Sequence, residues 1–285
     1  MRQRSFAQVD VFTAEPCRGN PLAVVLEPDG LSDAEMAAFA RWTNLSETTF
    51  VLPPTDPTAD YRVRIFTTSG ELPFAGHPTI GSAHAWLEAG GVPRSPDVVV
   101  QECGVGLVRL RRDADAGGRL AFAAPALLRS GPVDDATRAH VAAALGLPGE
   151  EVLDAAWVDN GPGWIGVLLR DAEVVLGLRG DPASIGDLKL GVVGRYDDAG
   201  RARVGADVEV RAFVPDLGIV EDPVTGSLNA GLGQWLIPAG VLPERYVASQ
   251  GTVLQRAGRV HVARVGDDVW VGGDAVTVVA GTVLL

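Results

Sequence analysis

Lysine is almost missing from this chain: of its 24 basic residues only Lys189 carries an amine, leaving one candidate for an imine or a phosphate-loop contact. Cysteine and histidine are nearly as scarce. Cys17, Cys103, His77, His84, His140 and His261 support neither a disulfide framework nor a Cys/His zinc cluster, and they suit a reducing cytoplasmic compartment. Positive charge is outweighed. With 36 acidic residues the net charge is -12, so no uniform positive field exists to hold nucleic acid or an anionic membrane surface. The aromatic residues, six Trp, eight Phe and three Tyr, form no stacking stripe for single-stranded nucleic acid. Asp10 interrupts the first apolar stretch before a signal-peptide core can form. The longest uncharged run, 223–243, is broken by Gly226, Gly231, Gly233, Gly240 and three prolines, so it reads as a buried helix with flanking turns. Phosphate-loop, nucleophile-elbow, zinc-protease and dinucleotide fingerprints are all missing.

What remains is a chain of 285 residues, the size of two domains or one large one. Ser32 with Glu35 forms a capping box ahead of a helix whose Met36, Phe39 and Ala40 share a face. The alternation in Tyr61 to Thr67 predicts a half-buried antiparallel strand. A second helix begins near His77 and Pro78, with Ile80, Ala83, His84 and Leu87 on one face, and stops at Gly90 and Gly91. It is rich in small residues, which suits close approach by strands. Strands follow to about Ala123, with a turn at Asp115.

The second part repeats the plan. A helix runs from Asp134 to Leu145, and strands cover 152–157, 164–169 and 208–214. A small-residue helix spans about Thr225 to Ile237, and more strands follow from Thr252. Sliding the first small-residue helix by 149 positions sets His77 on Gly226 and Trp86 on Trp235. Each helix opens with glycine after an acidic or proline-rich turn, which argues an internal duplication. The halves are placed at 1–122 and 123–285.

Three segments put polar groups where a plain core has no use for them: NLSETTFV at Glu47, ELPFAGHPT at His77, and EDPVTGS from Glu221 to Ser227. A glycine leading into a helix exposes backbone N–H groups, so Gly76-His77 and Gly226-Ser227 are candidate carboxylate cradles. Glu47 beside Phe50, Val51 and Leu52 is either a partly desolvated proton carrier or a residue on the wet face of a strand. His77 fits a helix cap as well as a ligand group. Asp222 opens an Asp-Pro turn, and Glu221 is an equal candidate for the functional carboxylate. Ser227 fits a simple cap.

Taken together, DVFTAEPCRGNPLAVV, ARWTNLSETTFV, RIFTTSGELPFAGHPTIGSAHA and EDPVTGS, in that order and spacing, resemble the PhzF-like phenazine-biosynthesis isomerase family, which shares the diaminopimelate epimerase fold. The resemblance covers nearly the whole chain. It implies an α+β protein of two similar halves, each a mixed, mainly antiparallel sheet curled around a central helix, with the active site in the cleft between them. The last strand is free to return to the first half. By the same resemblance Glu47 matches the family's general acid/base, and His77, Gly76, Asp222, Gly226 and Ser227 match its substrate-binding and proton-handling positions. Asn20, in the GNP motif, takes a mainly structural role. The family's reaction isomerises trans-2,3-dihydro-3-hydroxyanthranilate, a small carboxylic acid, with no metal or organic cofactor. A homodimer is the family's expected assembly. Related racemases and epimerases use a cysteine at the start of each central helix, where this chain has Gly76 and Gly226. A metabolite-binding or interaction protein on the same fold is the alternative.

Overall fold

The computed structural model describes residues 1–113, 117–179, 182–215 and 220–285; the turn expected at Asp115 lies outside them. The chain divides into two compact units, one comprising Met1–Ala123 with Gly272–Leu285 and the other Ala124–Val271.

In the first unit the elements run β1 (Gln3–Val11), β2 (Asn20–Leu26), α1 (Asp33–Thr43), β3 (Thr48–Leu52), β4 (Tyr61–Phe66), β5 (Glu71–Leu72), α2 (Gly76–Glu88), β6 (Val98–Cys103), β7 (Gly106–Asp113) and β8 (Arg119–Ala123). The second unit carries β9 (Arg129–Pro132), α3 (Asp135–Ala144), β10 (Val152–Asp159), β11 (Trp164–Leu169), α4 (Ala172–Gly177), β12 (Lys189–Arg195), α5 (Asp198–Val204), β13 (Val208–Phe213), β14 (Glu221–Asp222), α6 (Gly226–Leu236), β15 (Arg245–Gln250), β16 (Gly258–Val265) and most of β17 (Asp268–Gly273). The chain then re-enters the first unit as β18 (Ala275–Leu284).

The two sheets have the same wiring. In the first unit β18, β1, β2, β3, β4, β6 and β7 lie side by side, and their successive pairings are antiparallel, antiparallel, parallel, antiparallel, parallel and antiparallel. In the second unit β9, β10, β11, β12, β13, β15 and β16 follow the identical series. The strand that fills the outer place in the first sheet comes from the far end of the chain: Gln3 pairs with Leu284 and Val11 with Ala275.

In each unit one helix lies inside the sheet, and in the first α1 lies outside it. Helix α2 packs on β1, β2, β3, β6, β8 and β18, and α6 on β10, β11 and β16. Being surrounded, α2 is buried on every side from Gly76 through Ala83, which corrects the single apolar face read from its sequence. Small residues make this possible. A Cβ on Gly81 would fall 2.6 Å from Leu22 Cδ2, and one on Gly231 of α6 would fall 2.4 Å from the Val158 carbonyl. On the outer face of the first sheet, α1 closes a core of Val25, Met36, Phe39, Phe50 and Phe66. Strand β2 is therefore covered on both sides, and its run NPLAVVL is apolar without alternation. The predicted capping box starts α1: Ser32 Oγ accepts from Glu35 N–H while Glu35 Oε2 accepts from Ser32 N–H at 2.8 Å.

The duplication extends to single side chains. Arg64 grips Glu71 through two N–H···O bonds of 2.7 and 2.6 Å and lies over Phe66; Arg211 grips Glu221 at 3.0 and 2.8 Å and lies over Phe213. Phe66 pairs with Glu71 across the β4–β5 hairpin as Phe213 pairs with Glu221 across β13–β14. Five residues beyond each glutamate a helix begins, at Gly76 and Gly226. The helices thus correspond at a spacing of 150 residues, one more than the sequence match suggested. Gly81 then matches Gly231, and the alignment of Trp86 with Trp235 is a coincidence.

Candidate active site

Glu47 is not a strand residue. It sits in the connection after α1, one position before β3 begins at Thr48, so its side chain is not held to the alternation of the sheet. That removes the reading of a wet strand face. Thr48 and Thr49 are fully buried, and Thr49 Oγ1 accepts from Ser82 of α2 at 2.9 Å, tying the start of β3 to the central helix. Nearby, Ser46 donates to Asn20 Oδ1 at 3.4 Å, so the buried asparagine of the GNP motif braces the segment that carries Glu47.

Helix α2 brings His77 to this place. Its N-cap residue is Ala75, with no side chain to cap the helix, and His77 is the second residue inside the first turn. The capping role considered for His77 is thereby excluded. His77 Nε2 lies 3.5 Å from Glu47 Oε2, with the side chains 7% and 16% exposed. That carboxylate oxygen is buried and accepts no hydrogen bond among the described residues. Burial disfavours the charged form and pushes the Glu47 carboxyl up to about 7. A carboxyl with this value is populated in both protonation states near neutral pH, which suits a group that takes and returns a proton.

Asp222, Gly226 and Ser227 gather in the second unit. Helix α6 starts after Thr225, again without a side-chain cap, so Ser227 is not a cap either. Ser227 Oγ instead accepts the indole N–H of Trp164 at 3.1 Å, and the Ser227 carbonyl accepts from Asn160 Nδ2 at 2.8 Å. Trp164 and Asn160 thus hold the serine while its own hydroxyl proton stays available to donate. Asp222 Oδ2 accepts from the Thr225 hydroxyl, and the Asp222 carbonyl accepts from Gln250 Nε2 at 3.1 Å. Glu221, the rival carboxylate, is fully engaged: it and Arg211 are 5% and 7% exposed, and both its oxygens are taken by the guanidinium. Trp164, Asn160 and Gln250 are site neighbours that no local sequence signal marks, while Thr225 lies within EDPVTGS without being singled out there.

The thiols stand apart. Cys17 lies on the exposed β1–β2 connection, and Cys103 ends β6, half-buried with its thiol pushed up by burial. Both belong to the first unit, and neither begins a central helix. Among the described residues no helix is long and apolar enough to cross a membrane.

The duplicated α+β fold has glycine-led central helices and a raised carboxyl beside a histidine, and comparison with known proteins gives it a family. The model of the phenazine biosynthesis-like protein family matches residues 9–281, and the chain belongs to this PhzF family. It is similar to "Antisense-enhancing sequence 1" of Schizosaccharomyces pombe, 37% identical with 99% of each chain covered. It is also similar to trans-2,3-dihydro-3-hydroxyanthranilate isomerase of Pseudomonas aeruginosa, 32% identical over 92% of this chain and 90% of the relative. Among solved structures it resembles a PhzF-family protein of Enterococcus faecalis with a TM-score of 0.81, 25% identity and full coverage of both chains.

Proposed function

We propose that the protein is a cofactor-independent isomerase that moves a proton between carbons of a small carboxylic acid, in the manner of trans-2,3-dihydro-3-hydroxyanthranilate isomerase. The observation that carries this reading is Glu47: a shielded carboxyl raised to about 7 and standing 3.5 Å from His77. In the proposed reaction Glu47 takes a proton from one carbon of the substrate and returns it to another. No electrons leave the substrate, and the enzyme ends in its starting protonation state. The groups proposed to hold and polarise a substrate are His77 in the first unit and Asp222 in the second, and each unit offers its own candidate carboxylate cradle, the amides at Gly76-His77 or those at Gly226-Ser227, where helix N-termini favour negative charge. Local donors of this kind matter in a chain of net charge -12, whose general field repels an anion.

The test is incubation with candidate acids in heavy water, following solvent deuterium at carbon by NMR. The expected result is incorporation by the native enzyme and loss of it in Glu47→Gln, with ligand binding retained. The relative named "Antisense-enhancing sequence 1" bears a name without an enzymatic activity. A metabolite-binding protein on the same fold is the reading that stands if bound acids acquire no deuterium.

A further inference from the structure

Gln250 ends β15 and is completely buried, and all of its hydrogen-bonding capacity is spent at the start of α6. Its Oε1 accepts from the backbone N–H of Thr225 at 3.0 Å and from Asn229 Nδ2 at 2.9 Å. The Asn229 amide is itself oriented, because Nδ2 also donates to the Thr225 carbonyl at 2.9 Å. Fixed backbone groups therefore decide which end of the Gln250 amide is oxygen. Its Nε2 must face the other way, toward the Asp222 carbonyl at 3.1 Å and Thr225 Oγ1 at 2.9 Å. Since that hydroxyl oxygen accepts from Gln250, its single proton is left for Asp222 Oδ2.

We propose that Thr225, oriented by Gln250, is a positioning residue that fixes the rotamer and charge of the Asp222 carboxylate. Two observations separate this from ordinary helix capping. Thr225 occupies the N-cap position, where a threonine hydroxyl usually accepts from a first-turn amide, yet it makes no such bond and gives its proton to Asp222 instead. The first unit supplies an internal control. Gln101, on β6, is equally buried and donates to Thr79 Oγ1 of α2 at 3.0 Å, while Thr79 donates to the Ala75 carbonyl at 2.9 Å, so the glutamine brace is present there too. At the 150-residue spacing, however, Leu72 stands where Asp222 does and Ala75 where Thr225 does. The hydroxyl occurs in the half that has an aspartate at this position and is missing from the half that has a leucine there.

The functional consequence rests on the isomerase reading above, but the positioning can be measured without it. Thr225→Val removes the relay and keeps the shape and the Gln250 bonds to backbone and Asn229; Thr225→Ser retains a hydroxyl. The primary readout is the 13C carboxyl titration of Asp222 by NMR. Loss of a donor to the charged form should raise its midpoint by roughly one pH unit in Thr225→Val and leave it near the native value in Thr225→Ser. Deuterium incorporation into a turned-over acid should fall roughly ten- to a hundredfold in kcat, with KM little changed, in Thr225→Val, and recover in Thr225→Ser. Thr225→Ala replaces the valine variant if that chain does not fold. An unmoved Asp222 titration in the variant lacking the hydroxyl overturns the proposal, whatever the activity. A shifted titration in a protein that exchanges no deuterium upholds the positioning and instead overturns the isomerase reading.

Discussion

Glu47 Oε2 lies 3.5 Å from His77 Nε2, buried and, among the described residues, without a hydrogen bond of its own, and burial raises its carboxyl from 4.5 to about 7. The folded state therefore binds this proton more tightly than the unfolded state does. Stability from Glu47 is fully present below about pH 4.5 and is lost as pH rises to about 7. The loss is roughly 3 kcal/mol, since a tenfold difference in proton affinity between the two states is worth about 1.4 kcal/mol. Glu47→Gln lacks this titration. Urea unfolding of both proteins between about pH 4 and pH 8.5 should show the variant gaining on the native protein through that window. A constant difference across it contradicts the assigned burial.

In the proposed reaction the same group sets the pH dependence of turnover. Glu47 must be ionised to take a proton, so kcat/KM for deuterium incorporation should climb about tenfold for each step of one in pH below about 7 and level off above it. A half-maximal rate near pH 4.5 means that another group, or an unburied Glu47, does the work.

Two clamps of the same design sit in different surroundings, and their removal should cost different amounts. Arg211 and Glu221 are almost wholly buried, and Arg211 also donates to the carbonyls of Val175 and Leu178 at 3.2 Å. Arg211→Met strands a buried charge and should destabilise by roughly 3–5 kcal/mol. Arg64 and Glu71 are 23% and 42% exposed, so Arg64→Met should cost about 1 kcal/mol or less. Thermal melts of the two variants decide it.

Glycine to alanine inside a helix ordinarily stabilises by about 1 kcal/mol. In the central helices the sign should reverse. Gly81→Ala presses on the Leu22 and Val11 side chains, which can yield, and should cost roughly 1–3 kcal/mol. Gly231→Ala meets the Val158 carbonyl, which cannot step aside, and should cost more. Denaturant midpoints of the two variants give the order.

Where local chemistry dictates structure, the sequence could be read. The capping box at Ser32, the alternation in Tyr61–Phe66 and the glycine-led helices all follow from neighbours in the chain. The contact of Glu47 with His77 does not, because it depends on β3 and α2 being laced together by Thr49 and Ser82. Strand β15 went unread for a related reason: it pairs in parallel with distant β13, and the fold buries its polar Ser249 and Gln250, so the apolar alternation of RYVASQ breaks off where the strand is most buried. Gln250 sits on that strand, so the brace on Asp222 was hidden with it. Glu221 and Asp222 are adjacent and equally acidic; Arg211, ten residues earlier, is what separates their roles.

The return of β18 to pair with β1 bears on how the chain is made. Residues 3–11 are synthesised long before their antiparallel partner, which lies at residues 275–284. At ordinary rates of translation that interval is roughly ten seconds to a minute, during which one edge of β1 has no strand to cover it. The second unit, whose strands β9 to β16 are all made within that interval, can mature while the first still waits for its last strand. Nascent chains stalled just before residue 275 should therefore protect β10–β13 from hydrogen exchange while β1 continues to exchange.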